Sequence, residues 1–396
     1  MRTIRSVLVV VLLTCVGVGA KGKHTHFQTP PADLWQERAR EVVALVRDHF
    51  YDGPRAAAWA KDHAEYAQGV RTAQEFTERM KAALAKLKTS HTGYYTPAEV
   101  EYYGLLAIFR PALDIPPVEV ESVGMDVRQD GFVRVVFPGG PAATAGVRRG
   151  DKVLRADGQP FHPILSLQGK AGRPVTLTVQ RQQDGPLLNL TVVPRRVDPK
   201  QEWLQAQRQS ARVIPVNGRQ VAYLSFYSCA GQEHADVLQE VMQEQFREAD
   251  ALVLDFRDGW GGCNPALVNL FNTMPPVLTQ TGRDGKTHQF DRQWRKPLVL
   301  LINEGSRSGK EVVAHALQKH RRATLVGTRT AGAVLGGRCF LLADRSLLYL
   351  AVTDVRVDGE RLEGQGVPPD VEVKDKLPYA NGADPQLDKA LDVAGR

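Results

Sequence analysis

The stretch LINEGSRSGKEVVAHAL, Leu301 to Leu317, runs from an apolar segment through a Gly- and Ser-rich turn into a helical pattern. A strand that feeds a helix through a tight turn is the repeating unit of an α/β region. The unit recurs on both sides. A helical pattern lies near 232–247, an apolar run at ALVLDFR (251–257), another helical pattern after Asn264, and further runs at LVLLIN (298–303) and ATLVG (323–327). Ser308 sits at the turn, with Ser306 two residues before it. Two readings of Ser308 stay open on this stretch alone. Exposed by sharp backbone geometry beside a helix N-terminus, it could be a nucleophile whose oxyanion is met by the next N–H. Gly309 would then let a substrate approach closely. Ser308-Gly309-Lys310-Glu311 is equally a capping box, which requires no chemistry.

Upstream, residues 31–87 carry helical periodicity. DLWQERAREVVALVRDHF places Leu34, Ala39, Val42, Val43 and Val46 on one face, and Thr72 with Glu75 signals a second helix start. The loop KTSHTGYYTP (88–97) follows. From about Pro117 to Arg196 the texture changes. GFVRVVF and PVTLTVQR alternate apolar and polar residues as half-buried strands do, and a short small-residue helix ending at Gly146 lies between them. VDPKQEW (197–203) reads as a linker, and Asn217-Gly218 as the turn between two strands.

Bulk properties narrow the function. With 43% hydrophobic and 24% charged residues the chain is an ordinary globular protein. Net charge is +7, but no long basic run exists, which disfavours a nucleic-acid role. MRTIRSVLVVVLLTCVGVGA has a basic start, a short apolar run and a small-residue end, as an export signal has. It predicts a periplasmic or extracellular protein with no stable membrane insertion after cleavage at about residue 20. Cys15 is preceded by Thr, a poor fit to a lipoprotein signal. Cys229, Cys263 and Cys339 would remain, too far apart for a disulfide framework or metal spacing, so at most one disulfide is expected.

Three further places could carry chemistry. VLDFRDGWGGCN (253–264) runs into a loop with glycines at 259, 261 and 262, whose N–H groups could meet an oxyanion; without a following Gly-Lys-Ser/Thr it is no phosphate loop. The plain alternative is a tight turn. Ser90-His91 lies in a loop, and His91 matters only if folding brings it to a nucleophile. Glu363, in RLEGQGVPPDVEV (361–373), could orient a histidine or be a solvated surface acid.

Taken in order, these pieces resemble the C-terminal processing (tail-specific) and tricorn-type serine peptidases. PAATAGVRRGDKVLRADG resembles a PDZ helix and strand, SVGMDV (122–127) its carboxylate-binding loop, DFRDGWGG the family's Asp-x-Arg-x-Asn-x-Gly-Gly stretch, and NEGSRSGKE its nucleophile turn. The resemblance implies a multidomain α+β chain: a helical region (31–102) after a signal peptide (1–20) and polar linker (21–30), a PDZ-like domain (103–196), a crotonase-like (ClpP-like) α/β core (197–380) and a C-terminal tail (381–396). It implies Ser308 as nucleophile rather than Ser306. The tail-specific branch takes its base from a Lys in Thr-x-Gly-Lys-Gly; here Ala333 stands at that position. The tricorn-type branch uses Ser, His and Glu with a second Ser before the His, which Ser308, His91, Glu363 and Ser90 match. Gly309, Gly261 and Gly262 are then the oxyanion donors, with Gly261 preferred, and Val123, Gly124 and Met125 hold the peptide carboxylate. Gly259, where the family has Asn, is expected to loosen the loop. The implied partners are proteins or peptides with free C-termini, and no cofactor or metal is called for. A silent binding protein on the same fold is the rival reading.

Overall fold

In a computed structural model, residues 32–396 are described. The export signal, the polar linker and Cys15 lie outside them. Among the described residues no helix is long and apolar enough to cross a membrane.

Three helices open the chain: α1 (Ala32–His49), α2 (Gly53–Asp62) and α3 (Ala73–Ala85). Thr72 caps α3, its hydroxyl accepting the Glu75 N–H at 3.1 Å. Glu75 reaches back to the Arg71 N–H rather than to Thr72, so the capping box is half closed. The three-residue strand β1 (Gly93–Tyr95) and α4 (Val100–Leu113) follow. Val42, Val46, Phe76 and Met80 are fully buried, yet not in a core of their own. They pack on Leu348, Leu350 and Ala351, more than 250 residues downstream.

Residues 120–197 form small antiparallel sheets from β2 (Val120–Ser122), β3 (Met125–Val127), β4 (Val133–Val136), β5 (Lys152–Ala156), β6 (Gln159–Pro160), β7 (Val175–Gln180), β8 (Leu187–Val192) and β9 (Arg195–Val197), with the short α5 (Pro141–Thr144) between β4 and β5. Their core is Val133, Val153, Val175, Leu177 and Val179. Buried Asp151 is met by both ends of the Arg181 fork at 2.8 Å, which offsets its desolvation. VDPKQEW is not a free linker. Asp198 caps α6 (Pro199–Ser210) with Pro199 in its first turn, a helix-start pattern, and Trp203 is buried.

The rest is built on a six-stranded sheet ordered β10 (Arg212–Val216), β11 (Arg219–Ser225), β12 (Ala251–Asp255), β15 (Leu298–Ile302), β16 (Thr324–Gly327) and β19 (Val371–Glu372), parallel from β11 onward. Between β12 and β15 the chain makes a 3-10 turn (Pro265–Phe271) and an exposed hairpin, β13 (Leu278–Thr281) with β14 (Thr287–Phe290). Alternation sorts the strand residues. Leu252, Leu254, Leu300 and Ile302 face α7 (Gln232–Gln243) and α8 (Gly309–Lys319). Val253, Val299, Leu301 and Val326 face α9 (Pro385–Ala394), so the C-terminal segment is a packed helix. A second sheet, β1–β18 (Leu347–Thr353)–β17 (Gly336–Leu341), lies between the core and the N-terminal helices.

Candidate active site

α8 begins at the turn quoted above. Ser306 is fully buried, its hydroxyl donating to Phe256 O (2.9 Å) and accepting the Asn303 N–H (3.0 Å), so it holds the turn. Ser308 is different. Its backbone sits at φ 58°, ψ −127°, a sparsely populated region for a non-glycine residue and a mark of stored strain. Its N–H donates to the buried Glu311 carboxylate at 3.1 Å and to Ala333 O at 2.8 Å. Ser308 and Glu311 are placed as a capping box, but the Glu311 N–H is bonded to the Ser308 carbonyl at 2.9 Å, and among the described residues the Ser308 hydroxyl makes no hydrogen bond of normal geometry. The capping-box reading therefore accounts for the Ser308 backbone and Glu311, but leaves the hydroxyl unused. Glu311 also accepts from Thr330 Oγ1, Gly332 N–H and Ala333 N–H, fixing the 330–333 turn against the helix start.

That turn carries the geometry onward. Ala333 O takes the Ser308 N–H, and the next N–H, of Val334, donates to Glu363 Oε2 at 2.8 Å. Glu363 also accepts the Ser90 N–H (3.0 Å) and the Ser90 hydroxyl (2.8 Å). The Ser90 hydroxyl lies 2.8 Å from His91 Nδ1. Since that hydroxyl donates to Glu363, Nδ1–H must donate to Ser90 Oγ, which leaves Nε2 as the lone-pair nitrogen. Glu363 thus reaches His91 through Ser90, not directly. Ser90-His91 arrives here because β1, two residues on, pairs with β18, Gly93 opposite Tyr349, and the Tyr349 ring lies 5.5 Å from the imidazole. Among the described residues no hydrogen bond joins His91 to Ser308; such bonds are often long until a substrate is bound. Burial draws the His91 imidazole down to about 4, opposed by the Glu363 charge and aided by Arg307.

The glycine loop closes on the other side of Ser308. A Cβ on Gly261 would lie 2.6 Å from Ser308 Cβ, so only glycine fits there. Gly261 is buried, and among the described residues its N–H has no partner, nor has that of Gly309 at the first position of α8. A buried N–H without a partner is rare, and that of Gly261 stands with the half-buried helix-start N–H of Gly309 beside one serine, a donor pair for an anion. Gly262 is exposed. Gly259 does not loosen the loop as expected. It adopts φ +65°, and a Cβ there would lie 2.2 Å from Tyr227 O, so glycine is required for close backbone packing. Trp260 N–H donates to Tyr227 O and Cys229 N–H to Gly261 O. Arg257 is clamped by Asp255 and Asp384, which anchors the strand end below the loop.

Cys229 and Cys263 form a disulfide, a pairing left open by the sequence; only their places flanking two neighbouring loops could have signalled it. It joins residues 34 apart. Replacing both by serine is expected to cost about 2–4 kcal/mol, read by denaturant unfolding, because a loop of that size gains that much closure entropy. Cys339 is buried and, among the described residues, unpaired. Among the described residues no group of three or more His, Cys, Asp or Glu is gathered as metal ligands would be.

At the proposed peptide loop, Gly124 takes φ +74° and its N–H is held by Ser122 Oγ at 2.9 Å; that hydroxyl donates to Glu202 at 3.0 Å. Val123 is buried, and Met125 pairs with Val136. A cleft of about 1160 Å³ runs from Ser122, Val123 and Met125 past Trp260 and Gly259 to Arg307, the neighbour of Ser308. Arg134 of β4 lies across it, bonded to Asp126 and 3.5 Å from Asp258 of the glycine loop.

Residues 220–373 match the model of peptidase family S41, and residues 132–181 that of a PDZ domain. Tricorn protease homolog 2 of Streptomyces coelicolor is 28% identical, the match covering 93% of this chain and 33% of that protein. The carboxy-terminal-processing protease of Bartonella bacilliformis is 28% identical over 66% of this chain and 63% of that one. The chain therefore spans about a third of the first and less than two thirds of the second. Among solved structures, the photosystem II D1 C-terminal processing protease aligns with TM-score 0.53 at 22% identity, covering 91% and 97% of the two chains, a likeness of fold.

Proposed function

From a chain whose residues 220–373 belong to peptidase family S41 and whose residues 132–181 are a PDZ domain, we propose an exported serine endopeptidase that cuts near substrate C-termini. The observation that carries the reading is the unbonded Ser308 hydroxyl beside the unpartnered N–H groups of Gly261 and Gly309.

Ser308 Oγ attacks the scissile carbonyl while His91 Nε2 takes its proton. The resulting imidazolium is stabilised through Ser90 by Glu363, which holds the tautomer. The tetrahedral oxyanion is met by the N–H groups of Gly261 and Gly309. His91 then protonates the leaving amine, and water hydrolyses the acyl-enzyme with His91 again as base. The loop 122–125 receives a free C-terminal carboxylate, and the peptide continues along the cleft toward Arg307. Export is supported by the Cys229–Cys263 disulfide, since disulfides persist in oxidising compartments.

The test is incubation with an unfolded protein bearing an accessible C-terminus, with products identified by mass spectrometry. Cuts near the C-terminus that disappear when it is amidated support the reading. Binding of the same protein without cleavage would favour a silent binder. The rate should also rise with pH through about 4. Below that value His91 is protonated and has no lone pair for the Ser308 proton; above it the neutral imidazole is ready. A rise centred near 6.5 would contradict the buried, neutral histidine.

A further inference from the structure

Lys310, the second residue of α8, is fully buried. An ammonium is costly to bury and is disfavoured at the positive end of a helix, so its donors must be well used. Its Nζ donates to Phe226 O at 2.6 Å and to Asp258 O at 2.7 Å. These carbonyls lie on two different loops, just beyond the ends of β11 and β12. The same loops meet again further out, through Trp260 N–H to Tyr227 O, Cys229 N–H to Gly261 O and the Cys229–Cys263 disulfide. Lys310 therefore ties the pair at its root, and Gly261 lies at its tip, against Ser308.

We propose that the Lys310 ammonium is a positioning residue for the oxyanion donors, holding the 226–230 and 256–262 loops together and so setting where the Gly261 N–H lies relative to Ser308. The proposal rests on the reading of Ser308 as nucleophile. An ammonium suits the role because its bonds to carbonyls are charge-assisted, roughly twice as strong as those of a neutral donor. It also leaves a positive charge beneath the site where the oxyanion develops.

The charged groups around it make this hold titratable. Burial lowers the Lys310 pKa, the Asp255 and Asp258 carboxylates raise it, and Arg307 lowers it, with the net position at about 7. His234 of α7 also feels this ammonium and is itself drawn down to about 4, chiefly by burial, so it adds no charge near neutrality. Above about pH 7 the amine keeps only weaker bonds and brings no charge. Activity is therefore lost as pH rises through that value. Stability moves the other way. The unfolded chain, with an ordinary lysine, binds more protons than the native one between about 7 and 10, so stability rises with pH across that window.

Three measurements test this on the full chain: the pH–rate profile of wild type and Lys310→Met, the melting temperature of both against pH, and deuterium exchange of segments 226–230 and 256–263. Wild type should show kcat falling above about pH 7 with KM little changed. Lys310→Met should lose that limb and the alkaline rise in melting temperature, with kcat at pH 6 reduced about 10- to 100-fold. Exchange in the two segments should quicken about tenfold in the variant and leave other segments unchanged. Should the variant fail to fold, wild type alone decides: protection of the two segments, corrected for intrinsic exchange, must be lower at pH 9 than at pH 6. Retention of the falling limb in Lys310→Met, or unchanged protection of both segments, overturns the proposal. A wild type inactive at every pH sinks the peptidase reading, and exchange then still decides whether Lys310 holds the loops.

Discussion

Ser308→Ala is expected to slow peptide cleavage by about 10⁴- to 10⁶-fold while the melting temperature stays within a degree or two. The loss is that of removing a nucleophile from a hydrolytic triad, where what remains is the residual effect of the oxyanion donors and binding. Unchanged stability follows from what the hydroxyl does in the fold. The bonds that hold residue 308 are all made by its backbone, the N–H donating to Glu311 and Ala333 and the carbonyl accepting from the N–H groups of Glu311 and Val312. Alanine keeps that N–H and the same strained φ, so cap and strain carry over together. A hydroxyl that capped α8 would behave otherwise: its loss would cost about 0.5–2 kcal/mol. Measuring cleavage and melting on one preparation separates the two roles.

His91→Ala should lower the rate by a comparable factor and also remove the acid limb. Without the imidazole nothing near Ser308 accepts its proton. Glu363 is already engaged by Ser90 and Val334, and Lys310 by two carbonyls. The substitution leaves the Ser90–Glu363 bonds intact, so β1 and the 362–366 turn should keep their places. The expected profile is a residual rate, flat from pH 4 to 6, set by uncatalysed attack of water and the oxyanion donors alone. A rate that kept its acid limb in His91→Ala would show another base at work.

Much of this site was legible along the chain because its pieces are local. The strand–turn–helix at 298–319 follows from an apolar run, small turn residues and a helical period, each a short-range signal. The glycine loop was visible as glycines after an apolar strand. What could not be read was set by contacts distant in sequence. β1 has three residues and no pattern of its own; it is a strand only because β18 offers an edge, and that pairing is what brings His91 to the core. The exposed hairpin 278–290 carries no burial pattern. The burial of Lys310 has no signal in the first turn of a helix, because nothing nearby in sequence announces the carbonyls of Phe226 and Asp258. Asp198-Pro199 is the opposite case: its cap-and-proline signal was present, but the polar composition of VDPKQEW outweighed it.

The central claim is that Ser308 is an activated nucleophile, and its most direct test needs no knowledge of the substrate. The protein is treated with a fluorophosphonate, which phosphonylates activated serines, and the adduct is mapped by peptide mass spectrometry in wild type, Ser308→Ala and His91→Ala. The account predicts a single adduct on Ser308, absent in Ser308→Ala and formed far more slowly in His91→Ala. An adduct on Ser306 or Ser90, or labelling of Ser308 that is indifferent to His91, would contradict it.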